Sequence, residues 1–150
     1  MDIQDAIKNI LNNAHLLTLA TVDSKGPWCS VLAFIADDDF NIYWMSIPDS
    51  RHQLALKEDN RASINITTAQ KPGDENKLIQ VFGTVEEYTG NALELNDKYK
   101  QKKNDLLYAP RHAVQGFMEK WYKFTPEYID VTFEPEWAFE KRRYVVNQKA

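Results

Sequence analysis

The chain has 150 residues and a formal net charge of −4, with no long run of basic side chains. This length favours a single domain, residues 1–150, that can bury a core. The mild acidic balance argues against a general nucleic-acid surface, which needs clustered Lys and Arg. The lone Cys29 excludes an internal disulfide and fits a cytoplasmic protein. The first residues, MDIQDAIKNILNN, lack a long apolar core, so neither a signal peptide nor a membrane span is predicted.

Apolar periodicity in the first third of the chain predicts one helix and three strands. Residues 2–14 place apolar side chains at helical spacing. Residues 16–22, LLTLATV, form an apolar run that predicts a strand covered on both faces. A turn with a late glycine, residues 23–26, then predicts a hairpin into a strand at residues 28–36. Residues 41–46 predict the following strand.

The middle of the chain predicts a short helix between strands. Pro48, Asp49 and Ser50 are a helix-start signal, and the helix is expected to end near residue 60. Residues 61–67 alternate cleanly, with Ala, Ile and Ile inward and polar side chains outward. Residues 77–89 predict a long strand in which Gly83 marks a bulge or bend.

The last third predicts two helices and two or three strands. Helices are expected at residues 91–108 and 111–120, separated by Ala109–Pro110. Strands are expected at residues 121–124 and 128–134, with a further one at 137–144. The total is six or seven antiparallel strands in consecutive hairpins with accessory helices, which favours a mainly β protein built as a small barrel.

Ser50, Arg51 and His52 are the first candidate for chemistry. A helix N-terminus presents free N–H groups and a partial positive charge, and a hydroxyl and a guanidinium beside them suit a phosphate. The alternative interpretation is an ordinary Ser50 cap beside a solvated Arg51 and a surface His52.

Gln80 is the second candidate, because it shares a strand face with Leu78, Phe82 and Thr84. If that face points inward, its amide needs partners and could bond a bound heterocycle. The alternative is a glutamine at the barrel mouth that bonds neighbouring backbone.

An aromatic set forms the third candidate: Trp28, Phe34, Tyr43 and Trp44. These rings could flank a flat ligand, but aromatic side chains more often belong to the core. Cys29 is interpreted as a small buried hydrophobe. The histidines have no metal-ligand spacing, and neither a Ser–His–Asp order nor a glycine-rich phosphate loop is present, so no metal site and no catalytic residue is assigned.

Four segments in this order carry a resemblance: LLTLATVDSKGPWCSVLAF, NIYWMSIPDSRHQLAL, NRASINI and LIQVFGTVEE. Together they resemble the pyridoxamine 5'-phosphate oxidase-like FMN-binding split-barrel superfamily, in a little-characterised bacterial branch. The similarity covers roughly residues 5–90, and YKFTPEYIDVTF fits the closing strand of the family more loosely.

The resemblance implies a split β-barrel homodimer with one FMN in each of two clefts between the subunits. It implies that Ser50 and Arg51 hold the phosphate, with His52 where a lysine is often found. It further implies cofactor contacts from the strand beside the ring, from the end of the next strand and from the glutamine: Trp28, Cys29, Ser30, Val31, Met45, Ser46 and Gln80.

Two departures from the family pattern restrict the function. His52 in place of lysine makes the phosphate site less cationic near neutral pH, and FEPEWAFEKRRYVV does not match the substrate-phosphate residues of the oxidase. Oxidation of pyridoxamine phosphate is therefore not supported. The first hypothesis from the resemblance is an FMN-dependent oxidoreductase acting on a small molecule that the sequence does not specify. The alternatives are a non-catalytic flavin or haem binder or redox sensor, and a cofactor-free dimeric module. The resemblance implies neither a nucleic-acid nor a membrane partner.

Overall fold

The computed structural model describes residues 1–105 and 119–146, which contain four helices and eight strands. The helices are α1 (Ile3–Asn13), α2 (Arg51–Glu58), α3 (Ala92–Asp105) and α4 (Glu134–Trp137). The strands are β1 (Leu16–Asp23), β2 (Gly26–Ala33), β3 (Ile35–Ala36), β4 (Ile42–Ser46), β5 (Arg61–Thr67), β6 (Lys77–Glu87), β7 (Lys120–Phe133) and β8 (Lys141–Val145).

All eight strands belong to one antiparallel sheet in the order β2-β1-β5-β6-β7-β4-β3, with β8 also paired to β7. The 14-residue β7 connects the two halves of this sheet. One edge of β7 pairs with β6, while the other pairs first with β4 and then with β8. The sheet curls around this long strand, which confirms the predicted mainly β split barrel, with eight strands rather than six or seven.

The core lies between the inner face of the curled sheet and α1. Asp2 caps α1 by accepting a hydrogen bond from the Gln4 backbone N–H at 3.1 Å. The apolar stripe of the helix packs on strand residues such as Leu19, Ile64 and Val131, all fully or almost fully buried. Full burial of such a side chain contributes about 1.5–3 kcal/mol. Among the described residues, no helix covers the other face of the sheet from β2 across to β6.

The strand β1 differs from the prediction, because only one of its faces is covered. Leu17, Leu19 and Thr21 are buried, whereas Leu16 and Val22 remain 44% and 43% exposed. The outward apolar side chains of this strand predict a second covering layer, and none lies over them among the described residues.

Two further predictions near the C-terminus are wrong. The strands predicted at residues 121–124 and 128–134 are one strand, since Pro126 lies opposite the register shift at Phe82/Gly83 and does not break the ladder. This shift is the predicted bulge at Gly83. The strand predicted at residues 137–144 begins as α4, with proline in the first helical turn, and β8 follows only at Lys141.

The predicted helix at residues 91–108 is confirmed as α3 over residues 92–105. Residues 106–118 lie outside the described part, and with them most of the helix predicted at 111–120. Its last residue, Lys120, already opens β7. No helix among the described residues is long and apolar enough to cross a membrane.

Candidate functional site

The helix α2 begins beside the end of β4 and presents its N-terminus at the edge of the barrel. Ser50 is the N-cap residue, but its side chain makes no hydrogen bond to the helix backbone. Its hydroxyl lies instead 3.3 Å from Nε2 of His52. The first-turn N–H groups are therefore not capped by a side chain, and the interpretation of Ser50 as an ordinary cap does not describe this structure.

His52 is buried and lies between two serine hydroxyls. Its side chain is 9% exposed, and Nε2 is 2.7 Å from Oγ of Ser46, the last residue of β4. Burial lowers the pKa of His52 below its ordinary value, so the imidazole is neutral near pH 7. The third residue of the Ser-Arg-His tripeptide is thus an interior connection from α2 to β4, not a surface residue.

The guanidinium of Arg51 lies over an aromatic ring. Its guanidinium carbon is 4.1 Å from the ring centroid of Trp28, which is itself 45% exposed. This cation–π contact orients the guanidinium while leaving its N–H donors available. In the described part of the chain, no carboxylate forms an ion pair with Arg51.

A buried hydroxyl without a partner lies beside this arrangement. Thr21 is the cross-strand neighbour of Trp28 and is 4% exposed. Its Oγ1 has no hydrogen-bond partner in the described structure. A buried hydroxyl left unpaired costs about 1–3 kcal/mol, so Thr21 lowers the stability of the ligand-free protein.

We call the group Ser46, Ser50, Arg51, His52 and Trp28 the α2 corner. It combines free helix N–H groups, serine hydroxyls and a guanidinium with an exposed aromatic face. This set fits an oxyanion such as a phosphate attached to a flat ring, because the helix N–H groups and the guanidinium only donate hydrogen bonds and the Ser50 hydroxyl can donate one. The residues present therefore fit FMN.

Two other predicted residues lie on the opposite, outer face of the sheet. Cys29 is exposed, so the prediction of a small buried hydrophobe is wrong. It belongs to the edge strand β2 and pairs with Ala20 on the uncovered face. Gln80 is also exposed and accepts a hydrogen bond from Nζ of Lys141 at 2.7 Å. The inward face of β6 carries Ile79 and Val81 instead, so the inward orientation considered for Gln80 is wrong.

Cys29 and Gln80 line one concavity, which we call the outer hollow. Its volume is about 370 Å³, and its other lining side chains include Ser63, Asn65, Phe82 and Tyr128. The polar residues of β5 were correctly predicted to point outward. The contribution of Tyr128 was missed, and so was the Lys141 bond to Gln80, since nothing in the local sequence pairs β7 with β6 or β8 with β7.

The remaining predicted residues divide between these surfaces and the interior. Ser30 is half-buried, and Val31 lies on the outer face with 63% exposure. Met45 points away from the α2 corner and packs with Tyr43 and Trp121. Of the four aromatic candidates, three belong to the core as expected of aromatic side chains: Phe34, Tyr43 and Trp44, with exposures of 1%, 7% and 0%. Only Trp28 is exposed.

Gln53 stabilises the α2 corner through a contact in the protein interior, and the sequence pattern did not indicate this role. Its Oε1 accepts a hydrogen bond from Nε1 of the buried Trp44 at 2.9 Å. Together with the Ser46–His52 contact, this bond fixes α2 to β4 through two buried polar pairs. No group of three or more His, Cys, Asp or Glu side chains that could hold a metal ion occurs within residues 1–105 and 119–146.

Solved structures with this fold carry different functions. The chain is 15% identical to a haem-binding protein from Mycobacterium smegmatis, with a TM-score of 0.72, covering 97% of this chain and 58% of that one. It is 17% identical to General Stress Protein 26 from Bacillus anthracis, with a TM-score of 0.68, covering 96% of this chain and 100% of that one. An F420 reductase is 14% identical, with a TM-score of 0.64, covering 81% of this chain and 94% of that one.

No curated protein matches the chain at a significant level. At these identities the structural likenesses establish the fold alone. The family model described as pyridoxamine 5'-phosphate oxidase, in contrast, matches residues 3–132, which is most of the sequence. The chain therefore belongs to the pyridoxamine 5'-phosphate oxidase family.

Proposed function

We propose that this chain binds FMN through the α2 corner and acts as a flavin-dependent oxidoreductase on a small-molecule substrate. The observation that supports this most directly is the Arg51 guanidinium over Trp28 at the N-terminus of α2, which forms no ion pair with a carboxylate of the described residues. A phosphate here would receive hydrogen bonds from the helix N–H groups, from Ser50 and from Arg51.

FMN, when bound, supplies the hydride or electron transfer, so the protein needs to bind it, orient it and control its surroundings. Trp28 offers an exposed aromatic surface next to the phosphate donors. Gln80 lies on the opposite, outer face of the sheet, so it would reach the ring of a flavin held at the α2 corner only from a second subunit; Lys141 occupies its Oε1, and its amide NH₂ group remains for a carbonyl or ring nitrogen. No acid–base pair is required of the side chains.

We further propose that the functional unit is a homodimer with the cofactor sites between the subunits. The outer face of the sheet is uncovered and presents apolar side chains such as Leu16, Val22 and Val31, each more than 40% exposed. Contiguous exposed apolar surface of this kind is typical of a protein interface. A second copy on this face would bring Cys29, Gln80 and the outer hollow into an enclosed cleft.

A haem-binding function is the second candidate, because the fold is shared with a haem-binding protein. The α2 corner argues for the flavin, since its outward-facing polar groups are hydrogen-bond donors suited to phosphate. A haem protein would require an axial ligand, and His52 is occupied by two serine hydroxyls.

An absorption spectrum of freshly purified protein, followed by titration with FMN, tests the proposal. We expect a flavin spectrum, micromolar or tighter FMN binding, and bleaching by NADPH or NADH under anaerobic conditions. Light scattering should give twice the chain mass. A bound flavin that neither nicotinamide reduces would leave a carrier or sensor function. A Soret band would replace FMN by haem, and a colourless dimer that binds no FMN would indicate a cofactor-free module.

A further inference from the structure

We propose that His52 is a positioning residue that takes up a proton when phosphate binds at the α2 corner, so that the second positive charge of the site is present only in the bound state. The inference rests on the proposed FMN binding. It assigns to His52 a role different from that of a permanently charged lysine at the same position.

The geometry places one nitrogen between two hydroxyls at unequal distances. Nε2 of His52 is 2.7 Å from Oγ of Ser46 and 3.3 Å from Oγ of Ser50. Ser46 is buried and Ser50 is half-buried at the mouth of the corner. The short contact therefore anchors the ring to β4, and the long one leads from the ring to the ligand position.

The direction of these hydrogen bonds decides what Ser50 can offer a ligand. When Nε2 carries no hydrogen, its one lone pair is shared between the two serine hydroxyls, and a Ser50 hydroxyl that donates inward cannot donate to a phosphate. When Nε2 carries a hydrogen, it donates to the serine oxygens, and the Ser50 hydroxyl is free to donate outward. Phosphate oxygens only accept hydrogen bonds, so phosphate binding favours the state in which Nε2–H is present.

Charge favours the imidazolium over a neutral tautomer with the same Nε2–H. Burial alone lowers the pKa of His52 in the free protein, without a contribution from a neighbouring charge. The titratable side chains on α2, its entry turn and the described strands around it include Asp23, Cys29, Tyr43, Asp49, Arg51, Lys57 and Glu58, with Tyr122 and Lys120 on β7 opposite Trp44 and Ser46. None of them contributes to the lowered pKa of His52, so an incoming phosphate would add a charge where burial acts alone, and an anion at short range stabilises the protonated form.

Protonation of His52 and binding of phosphate are therefore linked. The free protein holds His52 neutral at pH 7, and the bound protein favours the protonated ring. Phosphate affinity therefore rises as the pH falls through the pKa of the bound state, and it levels off once the free protein is also protonated. Each pKa unit between the two states corresponds to a tenfold gain in affinity.

Fluorescence titration of FMN against pH, from 8.5 to 6.5, isolates His52 when wild type is compared with His52→Gln. Glutamine can bond the serines but cannot take up a proton, and the ratio of the two dissociation constants cancels the titration of the FMN phosphate itself, whose second pKa is about 6. We expect this ratio to change by about tenfold in favour of wild type across the range. His52→Lys should bind FMN tightly, and its affinity should not gain from proton uptake at residue 52 as the pH falls. His15→Gln changes a histidine on another part of the fold and should keep the pH dependence of wild type. For riboflavin, which lacks the phosphate, the ratio of the two dissociation constants should not change with pH.

Nitrogen-15 spectra of histidine-labelled wild-type protein give a second readout that needs no variant to fold. Addition of FMN at pH 7 should convert Nε2 of His52 from an acceptor to a protonated nitrogen while Nδ1 stays protonated. If wild type binds FMN but the ratio of the two dissociation constants does not change with pH, or the His52 ring is neutral in the bound state, this inference is overturned and the proposed function stays intact. Wild-type protein that binds no FMN overturns both.

Discussion

Removal of the Arg51 guanidinium is expected to weaken FMN binding about 10- to 100-fold without unfolding the protein. The guanidinium has no carboxylate partner in the described chain and lies 4.1 Å from the Trp28 ring centroid. A charge-assisted hydrogen bond to phosphate contributes about 1.5–3 kcal/mol, and every 1.4 kcal/mol is tenfold in the dissociation constant. The stability cost is confined to an exposed cation–π contact worth about 0.5–1 kcal/mol.

Lys57→Ala is the matched control, because it removes the same charge from the other end of α2. Lys57 lies in the last turn of that helix and is exposed. Fluorescence titration of FMN and of riboflavin with wild type, Arg51→Ala and Lys57→Ala separates a phosphate contact from a general charge effect. Arg51→Ala should weaken FMN binding and leave riboflavin binding unchanged, while Lys57→Ala should change neither by more than about twofold.

Equal FMN affinity in wild type and Arg51→Ala would refute the assignment of the phosphate to the α2 corner. An equal loss for FMN and riboflavin would mean that Arg51 acts on the ring or through Trp28. An equal loss in both variants would mean that only the net charge of the helix matters. Each result is distinct, since the two substitutions differ in position and the two ligands differ only in the phosphate.

Three further substitutions test buried groups at the β6–β7 bulge, beside the α2 corner and on α3. Gly83→Ala should lower the unfolding free energy in urea by about 1–3 kcal/mol, because its Cβ would meet the Thr125 carbonyl at the bulge. An unchanged midpoint of urea unfolding would contradict this close approach of the two strands. Thr21→Val should raise the melting temperature of the ligand-free protein, since it removes a buried hydroxyl without a partner; a loss of about 1 kcal/mol would reveal a missing partner. Burial lowers the pKa of Lys102 to about 7 from an ordinary 10.5, so the unfolded chain binds the extra proton between these values and wild-type stability rises with pH there. The unfolding free energy of Lys102→Met in urea should therefore exceed that of wild type by about 2 kcal/mol more at pH 6 than at pH 9. A difference that does not depend on pH would contradict the lowered pKa of Lys102.

Local periodicity predicted the elements well where one face of a strand is apolar and the other polar. In β5 the observed burial alternates at every residue from Arg61 to Thr67, as the sequence indicates. In β6 both faces carry large apolar side chains, with Leu78 and Phe82 on one and Ile79 and Val81 on the other. A period of two separates these faces but does not say which one points inward, and the orientation considered for Gln80 was wrong for that reason.

The α2 corner was predictable in part, because a helix start and its first side chains are adjacent in sequence. Ser50 and Arg51 could be identified as an anion site from their positions alone. The buried contact from His52 to Ser46, and the Lys141 bond to Gln80, join residues on different elements. Such contacts depend on how α2 and β8 pack on the sheet, which local pattern does not determine. Cys29 was misassigned for a similar reason, since its exposure follows from the place of β2 at the sheet edge.

The proposed dimer can be tested separately from the phosphate site through Val31. This side chain is 63% exposed on the outer face of β2, and no other strand pairs along the far edge of β2 in the described sheet. Val31→Glu adds a charge that water would solvate in a monomer, but that an interface would bury at a cost of several kcal/mol. We expect a monomer in light scattering and a loss of FMN affinity with Arg51 and Trp28 intact. Leu93→Glu is the control, because Leu93 is 73% exposed on α3, away from this face. A Val31→Glu protein that remains dimeric and binds FMN as wild type does would place the interface elsewhere, and would separate the outer hollow from the cofactor site.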